Sequence, residues 1–281
     1  MLTVGELLRR TPPYLAERGV RSPRLDTEHL LAAVLEVSRL DLYLRFDQPV
    51  EPGEVDRFRE LVRRRGQREP LAYLIGSWGF HGLELACDAR ALIPRPETEL
   101  LVEHALAAIA DAEAPSVLDV GTGSGAIALA VKAARADAQV TATDRSGDAL
   151  ALAGENAARL GLELELLAGD LFAPVAGRRF DLVIANPPYV AEGEQVDPET
   201  AFEPQGALFA GPDGLAILRP LVQGSPGGLI ALEIGHAQAS AVSGLLAAAG
   251  FGELRVERDL AGFDRVVLGC RPTARREDSH P

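Results

Sequence analysis

The sequence predicts an α/β fold: an open, mostly parallel seven-stranded sheet with helices on both faces, behind a small N-terminal helical domain. Three observations carry this. From about residue 98 onward, short apolar strand patterns alternate with helical ones, the rhythm of a doubly wound sheet. Residues 1–75 show only helical periodicity. The final two strand patterns stand too close for a helical crossover, so the last strand is expected to run antiparallel, reversed at the sheet edge.

In the first domain, "SPRLDTEHLLAAVLEV" offers Ser22 as N-cap and Pro23 at the first helical position, with Leu31, Val34 and Leu35 on one side. "EPGEVDRFRELVRRRG" repeats the stripe with Val55, Phe58, Leu61 and Val62, and ends on basic residues and Gly66, as helix C-termini do. Arg63, Arg64 and Arg65 read as a solvated helix face. In residues 76–97, "SWGFHGLELACD" alternates like a hairpin about a His81-Gly82 turn and continues into a linker. A helix over "ETELLVEHALAAIA" then opens the larger domain, residues 98–271. The strands follow as "SVLDVG", "QVTATD", "LELELLAGD", "FDLVIA", "GGLIALEIG", "ELRVERDL" and "DRVVLGC", with helices between, including one near 214–223. Residues 272–281 are polar and expected to be disordered.

Composition narrows the function. The chain has 281 residues, 47% of them hydrophobic and 25% charged. Its apolar runs are too short to span a bilayer, and no basic-then-apolar leader opens it, so a cytoplasmic protein is expected. Cys87 and Cys270 are far apart, and the five histidines follow no ligand spacing, so neither a disulfide nor a metal is expected. A net charge of -13 argues against a protein that wraps nucleic acid, which needs a basic footprint.

"VLDVGTGSGAIALA" places Gly121, Thr122, Gly123, Ser124 and Gly125 between the first strand of the large domain and its helix. Small residues there let backbone approach a ligand at the helix N-terminus. A glycine-rich turn by itself needs only positive φ and close packing. The spacing is GxGxG instead of GxGxxG, no GK[ST] follows, and Asp119 just before the loop would repel a pyrophosphate. Asp144 ends the second strand, 23 residues after Gly121, where a carboxylate can accept both ribose hydroxyls. Asp170 ends the third and can receive an adenine amino group. Acids around a nucleoside pocket without a basic partner suit a cationic nucleoside lacking phosphates, which is S-adenosylmethionine.

The fourth strand ends in Asn186-Pro187-Pro188-Tyr189, at the crevice where doubly wound sheets bind ligands. The prolines have no N–H and offer only carbonyls, and Pro187 forces Asn186 into an extended conformation. The Asn186 side-chain oxygen and the Pro187 carbonyl can then accept both hydrogens of one planar –NH2, with Tyr189 as an aromatic face. Such a site holds a weakly nucleophilic amide or arylamine nitrogen and aims it at a methyl group, by orientation and electrostatics, without a strong general base. The bland reading is a strand closed by prolines, with no chemistry.

"NPPY" after a GTGSG loop, together with "REPLAYLIG", "LIPRPETELLVE", "FEPQGALFAGPDGL" and "LEIGHAQ", resembles the HemK/PrmC family, the protein-(glutamine-N5) methyltransferases of peptide chain release factors. The resemblance covers nearly the whole chain. It implies a Rossmann-like class I S-adenosylmethionine-dependent methyltransferase. The helical domain (1–75), which lacks a glycine-loop-and-acid pattern like that of the larger domain and is separated from the sheet by the hairpin, is expected to recognise substrate. The implied partner is the Gly-Gly-Gln loop of release factors, without direct contact to nucleic acid or membrane. By the same resemblance the 121–125 loop, Asp144 and Asn186 bind cofactor, and residues 186–189 bind substrate. After Asp170, relatives often place an aromatic against adenine; here Leu171 and Phe172 follow, and Leu171 is assigned to the cofactor. Arg95, Glu97 and Glu99 either position cofactor and peptide or join the domains. A DNA or RNA amino-methyltransferase would share NPPY but need a basic target-recognition domain. Loss of Asn186 or Asp144 would favour a non-catalytic S-adenosylmethionine-binding or ribosome-assembly factor, and both are present.

Overall fold

The computed structural model describes residues 1–271; the disordered tail expected from 272 lies outside them. Contacts divide the chain into two compact units. One comprises Met1–Trp78, Cys87–Ala89 and Val196–Glu203, the other Gly79–Ala86, Arg90–Gln195 and Pro204 onward.

The first unit holds α1 (Val4–Ala16), α2 (Pro23–Leu35), α3 (Arg39–Leu44), α4 (Pro52–Gly66) and α5 (Leu71–Ile75). Thr3 and Glu6 close a capping box at the start of α1, and Ser38 and Asp41 do so at α3. Pro23 stands at the first turn of α2 as expected, although the Ser22 side chain makes no cap bond. The apolar stripes meet in one core containing Leu30, Leu31 and Val34 of α2, Leu42 of α3 and Phe58 of α4. One expectation fails at Arg65. Arg63 and Arg64 pair with Glu60 and Glu69, but Arg65 is only 4% exposed and donates to Asp26 (2.7 Å) and Glu199 (2.7 Å). The α4 helix turns this one arginine inward, where only paired acids make its burial tolerable. Arg68 joins it, reaching Asp197 (3.0 Å) and Glu199 (2.9 Å).

A two-residue turn at His81 (φ 48°) and Gly82 (φ 77°) joins β1 (Ser77–Phe80) to β2 (Leu83–Ala86). Positive φ at both positions matches the twist of the flanking strands. Beyond the hairpin come α6 (Pro96–Ala108), β3 (Ser116–Val120), α7 (Ala126–Ala134), β4 (Gln139–Asp144), α8 (Gly147–Leu160), β5 (Glu165–Ala168) and β6 (Phe180–Ala185). The chain then runs through α9 (Leu218–Gly224), β7 (Gly227–Glu233), α10 (Ala239–Ala248), β8 (Gly252–Arg258) and β9 (Asp264–Cys270).

Strands β3 to β9 form one seven-stranded sheet in the order β5-β4-β3-β6-β7-β9-β8, parallel except at β9. The last strand is antiparallel, as expected, but it does not lie at the edge: β9 inserts between β7 and β8. Its residues Val266, Val267 and Leu268 are buried, whereas β8 carries Glu253, Arg255 and Glu257, so the charged strand takes the solvated edge. Side chains alternate between two cores. Val117, Leu182, Ile184 and Ala231 pack with α6 and α7; Leu118, Val183, Ala185 and Leu232 pack with α9 and α10. Strand order reverses at β3, whose neighbours are β4 and β6, and the C-terminal ends of these three strands frame the site.

Candidate functional site

The turn from β3 to α7 is held by backbone: Gly121 and Thr122 both donate to the Thr143 carbonyl (2.8 and 3.0 Å). Gly121, Gly123 and Gly125 have φ of 74°, 56° and 83°, a region that favours glycine. Gly125 is a packing glycine, since a Cβ there would lie 3.1 Å from the Ala153 Cβ. At Gly121 a Cβ would meet nothing within 4 Å, which leaves its backbone open to a ligand. Asn156 of α8 braces the loop from behind, donating to the Ser124 carbonyl (2.9 Å) and to the Ala86 carbonyl of β2 (3.2 Å). Asp144, at the end of β4, accepts from the amides of Gly123 (2.9 Å) and Ser146 (2.9 Å), one on each oxygen. Asp119 is wholly buried. Thr122 donates to its Oδ2 (2.6 Å), its Oδ1 has no hydrogen-bond partner among the described residues, and burial pushes its carboxyl up to about 7.

A cleft brings most of the expected residues together. Gly121, Thr122, Gly123, Ser124 and Asp144 line one part, Asp170 and Leu171 another, and Asn186, Pro187 and Pro188 a third. Gly125 and Tyr189 are outside its lining. Phe172 is outside it too; Leu171 and Phe172 both pack against the core that holds α9, and of the two only Leu171 also lines the cleft. The expectation of acids without a basic partner is corrected: Arg90 and Arg145 also line the cleft. Arg90 is engaged by Glu155 (2.7 Å), and Arg145 donates to the Gly206 carbonyl (3.1 Å). Sequence reasoning also missed Ile93, Thr98, Gly206 and Ile217, which come to the cleft from segments far apart in the chain.

Asn186 is half-buried, and its Nδ2 donates to Thr98 Oγ1 (3.0 Å). Thr98, in the first turn of α6, donates in turn to Glu233 Oε2 (2.7 Å) at the end of β7. Tyr189 turns its hydroxyl to Glu233 Oε1 (3.3 Å), and burial pushes its phenol up. Burial likewise pushes Glu233 up to about 7, against the hydrogen bond from Thr98 and the charge of Arg265. Gln238 donates to the Tyr189 carbonyl (3.1 Å), and a Cβ at Gly214 would lie 2.2 Å from that same oxygen. The "LEIGHAQ" and "GPDGL" stretches thus fix the end of NPPY. Of the acids left with two readings, Glu99 accepts from the His81 amide (2.9 Å) and ties α6 to the hairpin turn; Glu97 is exposed.

The cleft suits an S-adenosyl group. It offers open glycine backbone, two carboxylates (Asp144 and Asp170) and apolar walls from Ile93, Leu171 and Ile217. Among the described residues no cluster of His, Cys, Asp and Glu could hold a metal ion, and no helix is long and apolar enough to cross a membrane.

Comparison with known proteins bears on the family and the fold. The family model described as the PrmC N-terminal domain matches residues 6–76, and that described as the methyltransferase small domain matches residues 96–203. The chain is 43% identical over 275 residues to the release factor glutamine methyltransferase of Geobacter sulfurreducens, covering 95% of this chain and 96% of that one. To that of Deinococcus radiodurans it is 42% identical over 277 residues, covering 96% and 99%. Among solved structures, the E. cuniculi Mtq2-Trm112 complex, described as responsible for methylating the eRF1 termination factor, matches with a TM-score of 0.50 and 24% identity. It covers 65% of this chain and 99% of that one, a likeness of fold alone.

Proposed function

The chain belongs to the release factor glutamine methyltransferases, and from this we propose that it methylates the side-chain amide nitrogen (N5) of the glutamine in the Gly-Gly-Gln loop of peptide chain release factors. S-adenosylmethionine is the proposed donor, supplying a methyl group made electrophilic by its sulfonium. One observation carries the reading: Asn186-Pro187-Pro188 lines the same cleft as the 121–124 loop and Asp144. In this reading donor and acceptor sites are adjacent.

In this assignment Asp144 accepts from the ribose, Asp170 from the adenine amino group, and Leu171 packs on the base. Asn186 Oδ1 and the Pro187 carbonyl accept the two hydrogens of the glutamine –NH2. An amide nitrogen is barely nucleophilic because its lone pair is delocalised. Two acceptors on its hydrogens raise electron density on nitrogen and stabilise the positive charge that builds there during transfer. They also fix the nitrogen in line, which removes much of the entropic barrier. The product proton leaves after transfer, so no strong base is assigned. The helical unit, whose clustered acids Asp26, Asp197 and Glu199 are paired with Arg65 and Arg68, is assigned to recognition of the release factor, and the cytoplasm is the place of action.

Labelled S-adenosylmethionine offered with purified release factor, a Gly-Gly-Gln peptide, DNA and rRNA tests the proposal. Label is expected on release factor, and on its glutamine. Label on DNA or rRNA with none on release factor would replace it with a nucleic-acid amino-methyltransferase.

A further inference from the structure

Behind Asn186 runs a short relay: Asn186 Nδ2 to Thr98 Oγ1 (3.0 Å), then Thr98 Oγ1 to Glu233 Oε2 (2.7 Å). Both supporting side chains are shielded from water, Thr98 at 4% and Glu233 at 1% exposure. The chemistry of the relay has only one direction while Glu233 is ionised. A carboxylate can only accept, and a threonine hydroxyl has a single proton. Thr98 gives that proton to Glu233, so it meets Asn186 with lone pairs, and the group facing it must be the –NH2. The Asn186 oxygen is thereby turned away from Thr98. In an isolated asparagine the two ends of the amide are nearly equivalent in shape; here a buried acid distinguishes them.

We propose that Thr98 and Glu233 are positioning residues that set the amide orientation of Asn186, so that its oxygen, and not its nitrogen, meets the –NH2 of the acceptor. This rests on the assignment of Asn186 to the acceptor nitrogen. The reversed amide would point one donor at another. Tyr189 donates to the second oxygen of Glu233 (3.3 Å) and holds the carboxylate from the other side. The charged groups facing Glu233 are Arg265, which favours its ionised form, and Glu97, which opposes it. Once protonated, Glu233 can donate to Thr98, and the relay loses its fixed direction. The same acid that orients the asparagine therefore makes the orientation depend on pH.

Single-turnover methyl transfer to a Gly-Gly-Gln substrate, with cofactor titration alongside, tests this in a mutant cycle. Thr98→Val keeps shape and removes the hydroxyl. It is expected to slow transfer about tenfold or more, from the loss of a buried hydrogen-bond partner, with cofactor affinity within about threefold of wild type. Thr98→Ser restores most of the rate. In an Asn186→Ala background Thr98→Val has no further effect, because residues acting through one another are not additive. Should Thr98→Val fold poorly, Glu233→Gln serves: like the protonated acid it can donate to Thr98 as well as accept, so transfer is expected to be slow and no longer to change with pH around 7. A wild-type rate for Thr98→Val beside a crippled Asn186→Ala would overturn the inference while sparing the assignment of Asn186. So would fully additive losses, or a wild-type pH profile in Glu233→Gln. A wild-type rate for Asn186→Ala would remove the assignment itself.

Discussion

Asp144 offers one carboxylate oxygen to each of two backbone amides, Gly123 and Ser146, and each oxygen keeps a further lone pair for a ligand. The geometry fits a vicinal diol and couples the acid to the glycine loop. Asp144→Ala should therefore weaken S-adenosylmethionine binding at least about tenfold, as charge-assisted hydrogen bonds contribute roughly 1.5–3 kcal/mol each. An unchanged dissociation constant by calorimetric titration would move the ribose contact elsewhere. Asp144 was legible in the sequence because an acid closing the second strand of a doubly wound sheet has one place to be. Thr98 and Glu233 were not. They lie 135 residues apart, and no local pattern marks a threonine in a helix's first turn as the partner of a strand-end glutamate. The stretches containing them stood out only through the family resemblance.

Elements were easier to read than their arrangement. Caps, prolines at first turns and apolar stripes marked the helices, and alternation with strands gave the doubly wound sheet, because these signals are local. The insertion of β9 between β7 and β8 was not local: it depends on which of two adjacent strands is apolar on both faces. Nor did anything in the loop after NPPY show that Val196–Glu203 folds with the helical unit, where Asp197 and Glu199 meet Arg65 and Arg68. That anchoring carries its own prediction. Arg65→Ala strips a buried cation from Asp26 and Glu199 and should destabilise the helical unit by about 3–5 kcal/mol, the usual cost of breaking a buried pair on one side. Urea unfolding should show a transition at clearly lower denaturant than in wild type. A wild-type midpoint would mean that the cluster contributes nothing net.

Across the whole molecule, buried acids tie stability to pH, among them Asp119 and Glu233. Asp119 and Glu233 both titrate near 7 in the folded protein, raised from 3.8 and 4.5 by burial. Between their unfolded and folded values the folded state holds protons that the unfolded chain has released, so stability falls as pH rises through that window and levels off above it. Acids lowered by their partners, such as Asp137 at about 2, act only at more acid pH. The thermal midpoint of the cofactor-free protein should accordingly be lower at pH 8 than at pH 5.5. A midpoint that rises over that interval would contradict these burial costs. Catalysis itself turns on Asn186, proposed to bring the acceptor amide to the methyl donor. The most direct measurement is single-turnover methyl transfer to intact release factor by wild type and Asn186→Ala, with S-adenosylmethionine affinity measured on both. The rate is expected to fall by on the order of 100- to 1,000-fold with cofactor affinity nearly unchanged; transfer by Asn186→Ala at the wild-type rate would mean that Asn186 does not hold the acceptor nitrogen.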